Sequence, residues 1–193
     1  MEDMETMRVR LTGTLPLLMH NEQLANPLDP AVQELKPFTS KRKKSEEDYL
    51  AISYKEFKYG LYHNEKLGPY IPAGWLKALI RDAAKITRRG TDVTRAVFIM
   101  DLHYPLEYKG PRDIETMYKE GFYDRRMVGN QGNRVLRTRP KFEGWAVEFE
   151  MMYDTTIFDN PTQMEGIINT GGRMIGLGDY RPTFGRFTAE YPS

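Results

Sequence analysis

Apolar and polar residues alternate over 8–14 (RVRLTGT), with Val9, Leu11 and Gly13 on one side, which is the period of a half-buried strand. Pro16, Pro27, Pro30 and Pro37, with Asn21 and Asn26 among them, predict a long loop over 16–37. Ser45 with Asp48 three residues on is a variant capping box, and Leu50, Tyr54 and Phe57 follow at helical spacing, so a short helix is expected there. A second loop covers 62–72. From 73 to 86 the apolar positions Trp75, Leu76, Leu79, Ile80, Ala83 and Ala84 recur at three and four residues, an amphipathic helix. Gly90 and Asp92 then turn the chain into a strand expected over 96–106 (AVFIMDLHYPL), its first half buried on both faces.

Further on, Met127 and Val128 precede a glycine and amide stretch, Gly129 to Asn133, and Val135 and Leu136 follow it, the pattern of a projecting hairpin. Residues 144–153 (GWAVEFEMMY) alternate Trp145, Val147, Phe149 and Met151 as a strand. Asn160 and Pro161 form a cap and first-turn pair that opens a helix with Met164, Ile167 and Ile168 inward, and Gly171 and Gly172 end it. A last strand is expected over 184–191. The order strand, helix, strand, strand, helix, strand predicts an α+β fold, a ferredoxin-like or RRM-like βαββαβ domain with insertions. One domain is expected over 1–193. An insertion with the short helix falls at 15–72, and a basic, thumb-like hairpin insertion at 107–141.

Composition narrows the class. With 193 residues, 40% hydrophobic and 28% charged, the chain reads as a globular protein, and no apolar run approaches the roughly 20 residues of a membrane span. An acidic start without an apolar stretch is unlike a signal peptide, and the lack of cysteine fits a reducing compartment, so a cytoplasmic protein with no membrane partner is expected. It also removes thiolate nucleophiles and cysteine metal sites. The three histidines, His20, His63 and His103, are widely separated and suggest no metal centre, and no cofactor is expected.

Net charge is only +1, but its distribution is uneven. Arg125, Arg126, Arg134, Arg137, Arg139 and Lys141 cluster in the hairpin region, and Lys41 to Lys44 form a second basic run, while acids gather elsewhere. On the polar face of the 73–86 helix, Lys77, Arg81 and Lys85 lie four apart in one row, continued by Arg88 and Arg89. The segment GGRMIGLGDYRPTFGRF, 171–187, interleaves Gly171, Gly172, Gly176, Gly178 and Gly185 with Arg173, Arg181, Arg186, Tyr180 and Phe184. Glycines admit a close backbone, arginines supply forked donors for phosphate, and aromatics offer stacking faces to bases, three needs that meet in nucleic-acid binding. The competing reading is a glycine-rich connection that only lets the last strand join the sheet.

The stretch PYIPAGWLKALIRDAAK, 69–85, resembles the loop-to-helix signature of the RAMP superfamily. There an aromatic or Ile-Pro pair precedes a small residue, then Leu-Lys, then an arginine one turn later. Together with the glycine-rich loop before the final strand, the chain is similar to the backbone subunit of CRISPR effector complexes, which coats a guide RNA side by side with like subunits. It departs from that pattern in having Ala73, Gly74 and Trp75 where the family has Gly-Ser, so a stand-alone or virus-encoded relative fits as well. The resemblance implies phosphate contacts from Lys77 and Arg81 and from the loop around Gly176, Gly178 and Arg181, with the thumb over 125–139. It implies single-stranded RNA or DNA and like subunits as partners.

Two other functions compete. Some members of the superfamily cleave RNA, with an aspartate after the first strand or with a histidine base, for which Asp29, His20 and His63 are the candidates. A lone Asp in an LDP turn is more commonly a turn residue. The second alternative is a non-catalytic component of a viral or cellular assembly whose basic surface meets an acidic partner.

Overall fold

The structure, a computed structural model, describes residues 3–130 and 133–192, so Gln131 and Gly132 of the expected hairpin tip lie outside the described residues. In chain order the elements are β1 (Met4–Gly13), β2 (Leu17–Leu18), α1 (Pro30–Thr39), α2 (Glu46–Gly60), β3 (His63–Asn64), β4 (Gly68–Pro72), α3 (Ala73–Lys85), α4 (Gly90–Ala96), β5 (Val97–Ile99) and β6 (His103–Pro105). They continue with α5 (Ile114–Lys119), β7 (Tyr123–Asn130), β8 (Asn133–Phe142), β9 (Ala146–Asp154), α6 (Pro161–Thr170) and β10 (Phe187–Glu190). The chain is a mixed α+β protein that forms two compact units, one of Met1–Leu17, Asn64–Lys109 and Glu143–Ser193, the other of Leu18–His63 and Gly110–Phe142. The stretches read as insertions, 15–72 and 107–141, contain all of the second unit except Phe142.

In the first unit four antiparallel strands stand in the order β10-β1-β9-β5. Alternation in β1 sends Met7, Val9 and Leu11 inward, and the register that pairs Val9 with Phe149 and Leu11 with Val147 puts the apolar sides of both strands on one face. The inward faces of α3 (Leu76, Leu79, Ile80, Ala83, Ala84) and α6 (Met164, Ile167, Ile168) complete this core. Each buried leucine or isoleucine contributes about 1.5–3 kcal/mol. The opposite sheet face is ionic: Arg8 pairs with Glu150 at 2.8 Å, and Arg10 lies between Glu107 and Glu148.

Four sequence expectations are corrected. The loop expected over 62–72 contains β3 and β4, and the helix expected to end at Gly171 and Gly172 continues as a π-helical turn through Ile175. The loop over 16–37 is helical from Pro30 onward. Asp29 caps α1 by accepting from the Ala31 amide at 2.9 Å, and Pro30 stands where the first helical turn needs no amide donor. The strand over 96–106 is broken. Residue 96 ends α4, β5 pairs with β9, and β6 pairs with β4 in another sheet. The break is held by Tyr104, whose hydroxyl accepts from the Asp101 amide at 2.7 Å and donates to the Glu150 carbonyl at 3.2 Å.

The second unit packs α1, α2 and α5 with the β7–β8 hairpin. The helix expected after Ser45 is α2, fifteen residues long, and the capping box between Ser45 and Asp48 is formed in both directions. The side chain of Thr138 in β8 donates to Ser53 of α2 at 2.9 Å, and the Thr138 amide donates to Glu56 at 2.8 Å. Tyr54, Phe57, Tyr118 and Tyr123 pack ring on ring beside this link.

Candidate nucleic-acid interface

Helix α3 begins directly after β4, with Pro72 at its N-cap, and its amphipathic pattern turns the polar row outward. That row is not uniform. Lys77 folds its ammonium onto the end of α4, where it donates to the carbonyls of Val93 at 2.7 Å, Thr94 at 3.3 Å and Val97. It thereby adds a donor at the C-terminal end of α4, where the Val93 carbonyl also accepts from the Val97 amide, and its burial pushes the amine below the ordinary lysine value. In the structure the ammonium of this expected phosphate ligand is thus directed at three backbone carbonyls.

Arg81 and Lys85 differ. Both reach Asp82 Oδ1, at 3.1 and 2.8 Å, with side chains 41% and 60% exposed. Arg181, from the segment between α6 and β10, approaches the other oxygen of Asp82 at 3.6 Å. Three cations therefore share one carboxylate, and a cleft of about 350 Å3 opens beside them, lined by Arg81, Lys85, Arg88, Gly90, Thr91 and Thr94. No acid lines this cleft. Burial works to raise the Asp82 carboxyl, but the hydrogen bonds from Lys85 and Arg81 outweigh it and hold the group below its ordinary value, so it stays ionised at neutral pH. In the sequence only the i,i+3 spacing to Lys85 marks Asp82. Arg89, by contrast, is built into the unit, donating to Gln163 at 2.8 Å and to the Ile157 carbonyl at 2.7 Å and lying over the Phe158 ring.

The glycine-rich segment serves the fold first. Gly176 at φ 81° and Gly185 at φ 72° occupy the left-handed region, and the Leu177 amide donates to the Gly185 carbonyl at 2.8 Å, so the two glycines close a tight double turn. Gly178 shares the positive φ, at 84°. Tyr180 is 44% exposed and meets Phe184 edge to face. Arg173 and Arg186 are exposed, and Arg186 donates to the Pro182 carbonyl at 3.1 Å.

The hairpin arginines belong to the second unit and divide between the two hairpin faces. The register pairs Arg126 with Arg137 and Asp124 with Arg139 on one face, while Arg125 and Arg134 lie on the other. Arg126 is bound to Asp124 and Arg137 to the buried Glu56. Arg125 stacks over Tyr123 at 4.7 Å and donates to the Tyr118 hydroxyl at 3.0 Å. Arg134 is exposed and Arg139 half-buried.

Asp29 acts as a helix cap, His20 is exposed, and His63 is 2.9 Å from the Arg112 carbonyl. His103 stacks against Tyr70 with ring centroids 4.3 Å apart. Among the described residues no cluster of histidine and acid side chains could hold a metal ion, and no helix is long and apolar enough to cross a membrane. No protein-family model matches the sequence, and no curated protein matches it significantly.

Proposed function

We propose that the chain binds single-stranded nucleic acid, RNA foremost, through the phosphate backbone, with Arg81, Lys85, Arg88 and Arg181 as the principal ligands. The observation that carries this reading is the gathering of Arg81, Lys85 and Arg181 around Asp82, beside a cleft that no acid lines. Guanidinium and ammonium groups supply charge and several donors each, which suits phosphate oxygens without selecting bases. Arg173 and Tyr180, exposed on the neighbouring turn, extend the cationic surface and offer an aromatic face. The ion-paired outer sheet face, with glutamates between its arginines, is a poor platform for stacked bases, and this favours the helix edge over the sheet as the binding track.

The strand order β10-β1-β9-β5, with α3 preceding β5 and α6 preceding β10, supports the ferredoxin-like assignment, and the 69–85 signature supports a RAMP-type protein. On that reading the chain coats a strand beside like subunits, as a CRISPR-type backbone subunit or a related coating protein. Fluorescence anisotropy with labelled single-stranded RNA and DNA of several sequences, between 50 and 300 mM salt, tests it. Affinity should fall linearly on a log-log plot, and changing Arg81 and Lys85 together to Ala should weaken all sequences alike. The same change should reduce the slope by roughly 1.4, about 0.7 for each phosphate no longer neutralised. Binding that is flat with salt, or lost for some sequences only, would refute the proposal.

A further inference from the structure

The second unit contains a groove of about 730 Å3 that the nucleic-acid reading does not use. Its volume lies within the roughly 300–1,000 Å3 typical of small-molecule sites. The floor is formed by Leu35 and Ile52, both buried, with Glu56 beside them. Val32 and Leu136 add apolar wall, while Lys36, Lys44 and Arg134 stand at more exposed positions around it. The Glu56 carboxylate accepts from Arg137 and from the Thr138 amide, so the acid on the lining is neutralised within the protein. An apolar hollow bordered by cations, with its acid already paired, calls for a ligand that is apolar at one end and negative at the other.

We infer that this groove binds a small amphipathic anion, an apolar or aromatic body carrying one carboxylate or phosphate. The body displaces water from Leu35, Ile52 and Leu136, and the head group meets Lys36, Lys44 and Arg134. A fatty acyl carboxylate and a nucleoside monophosphate share this chemistry and differ in the body.

Protein freed of nucleic acid is titrated with decanoate, with adenosine monophosphate and with uncharged decanol, and followed by calorimetry and thermal shift. One of the two anions should bind saturably and raise Tm, at least about tenfold more tightly than decanol, and its identity assigns the body. Changing Lys36 and Lys44 together to Glu should weaken that anion by at least about tenfold and leave decanol unaffected. Because Lys44 also donates to the Lys41 carbonyl at 2.7 Å, Lys36→Glu is measured alone as well, with a severalfold loss expected. The Arg81→Ala, Lys85→Ala protein should bind the anion as the wild type does, which separates this site from the proposed strand-binding cluster. The inference is overturned if neither anion binds, if decanol binds equally well, or if both lysine variants retain full affinity.

Discussion

Asp82 Oδ2 lies 3.6 Å from the Arg181 guanidinium and so joins the C-terminal half of α3 to the loop that leads into β10. The same carboxylate holds Arg81 and Lys85. Long cationic side chains lose rotamer freedom on binding a phosphate, and holding them in place beforehand lowers that entropic cost. The carboxylate also competes with phosphate for the same donors, so Asp82 both orders the cluster and weakens it.

Replacing Asp82 by Asn separates these effects. The amide retains the shape and can still accept a hydrogen bond, but one negative charge is gone, and single-stranded oligonucleotides should bind about threefold or more tightly at low salt. The carboxyl titrates below its ordinary value in the folded state, so its contribution to stability is present above the unfolded value, near 4, and is lost as pH falls through the lower folded value. Denaturant midpoints between pH 6 and 3 should therefore fall less in D82N than in wild type. Weaker binding in D82N at every salt concentration would show that ordering outweighs competition.

Lys77 should behave differently from its helical neighbours. Its ammonium closes the end of α4, so Lys77→Ala leaves the carbonyls of Val93, Thr94 and Val97 without this donor and should cost about 1–3 kcal/mol of stability. Oligonucleotide affinity of the folded fraction should stay within about twofold of wild type. Thermal melting and anisotropy on the same preparation check this, and a large affinity loss with an unchanged melt would make Lys77 a phosphate ligand after all.

These contrasts mark how far sequence reading reaches. The spacing of Leu76, Leu79, Ile80 and Ala83 identifies α3 almost to the residue, because a local period decides which face is buried. The alternation around Val147 and Phe149 identifies β9 in the same way. The start of α1 is hidden because Pro30, one of four prolines over 16–37, reads as a breaker, although after Asp29 it marks a first helical turn. The break within 96–106 depends on the bonds that Tyr104 makes to Asp101 and to distant Glu150, which no local pattern reveals. Within the site, the cations are legible as a row, but the reach of each is not. Lys77 and Arg81 are both half-exposed and one turn apart, yet one ammonium is held by α4 carbonyls and the other guanidinium faces a cleft.

Two glycine substitutions should act in opposite directions. A Cβ on Gly185 would lie 1.8 Å from the Leu177 carbonyl oxygen, at φ 72°, so Gly185→Ala should cost more than about 3 kcal/mol and open the turn that carries Arg181. Gly74, in the first turn of α3, has nothing within 4 Å of the corresponding position among the described residues beyond its chain neighbours and its own helix backbone, and Gly74→Ala should stabilise by about 0.4–1 kcal/mol. Melting temperatures of the two variants test both signs, and a neutral Gly185→Ala would show that the double turn rearranges freely.

Glu56 offers a pH test confined to the second unit. Burial pushes its carboxyl above the ordinary value, and the attraction of Arg137 and the Thr138 amide only partly offsets this. As pH rises past the unfolded value, near 4.3, the unfolded chain releases this proton before the folded protein does. The folded state then binds more protons, so the contribution of Glu56 to stability declines as pH rises from the unfolded to the folded value. Glu56→Gln cannot titrate. The difference in stability between E56Q and wild type should therefore move in favour of the variant as pH rises through this window, whatever the absolute cost of losing the charge on Arg137's partner. Hydrogen exchange of the α2 and β8 amides, followed from pH 4 to 7, reads the effect where Glu56 joins the two elements. A difference that stays constant with pH, or moves in favour of wild type, would mean that Arg137 holds the carboxylate ionised throughout and that burial does not govern its titration.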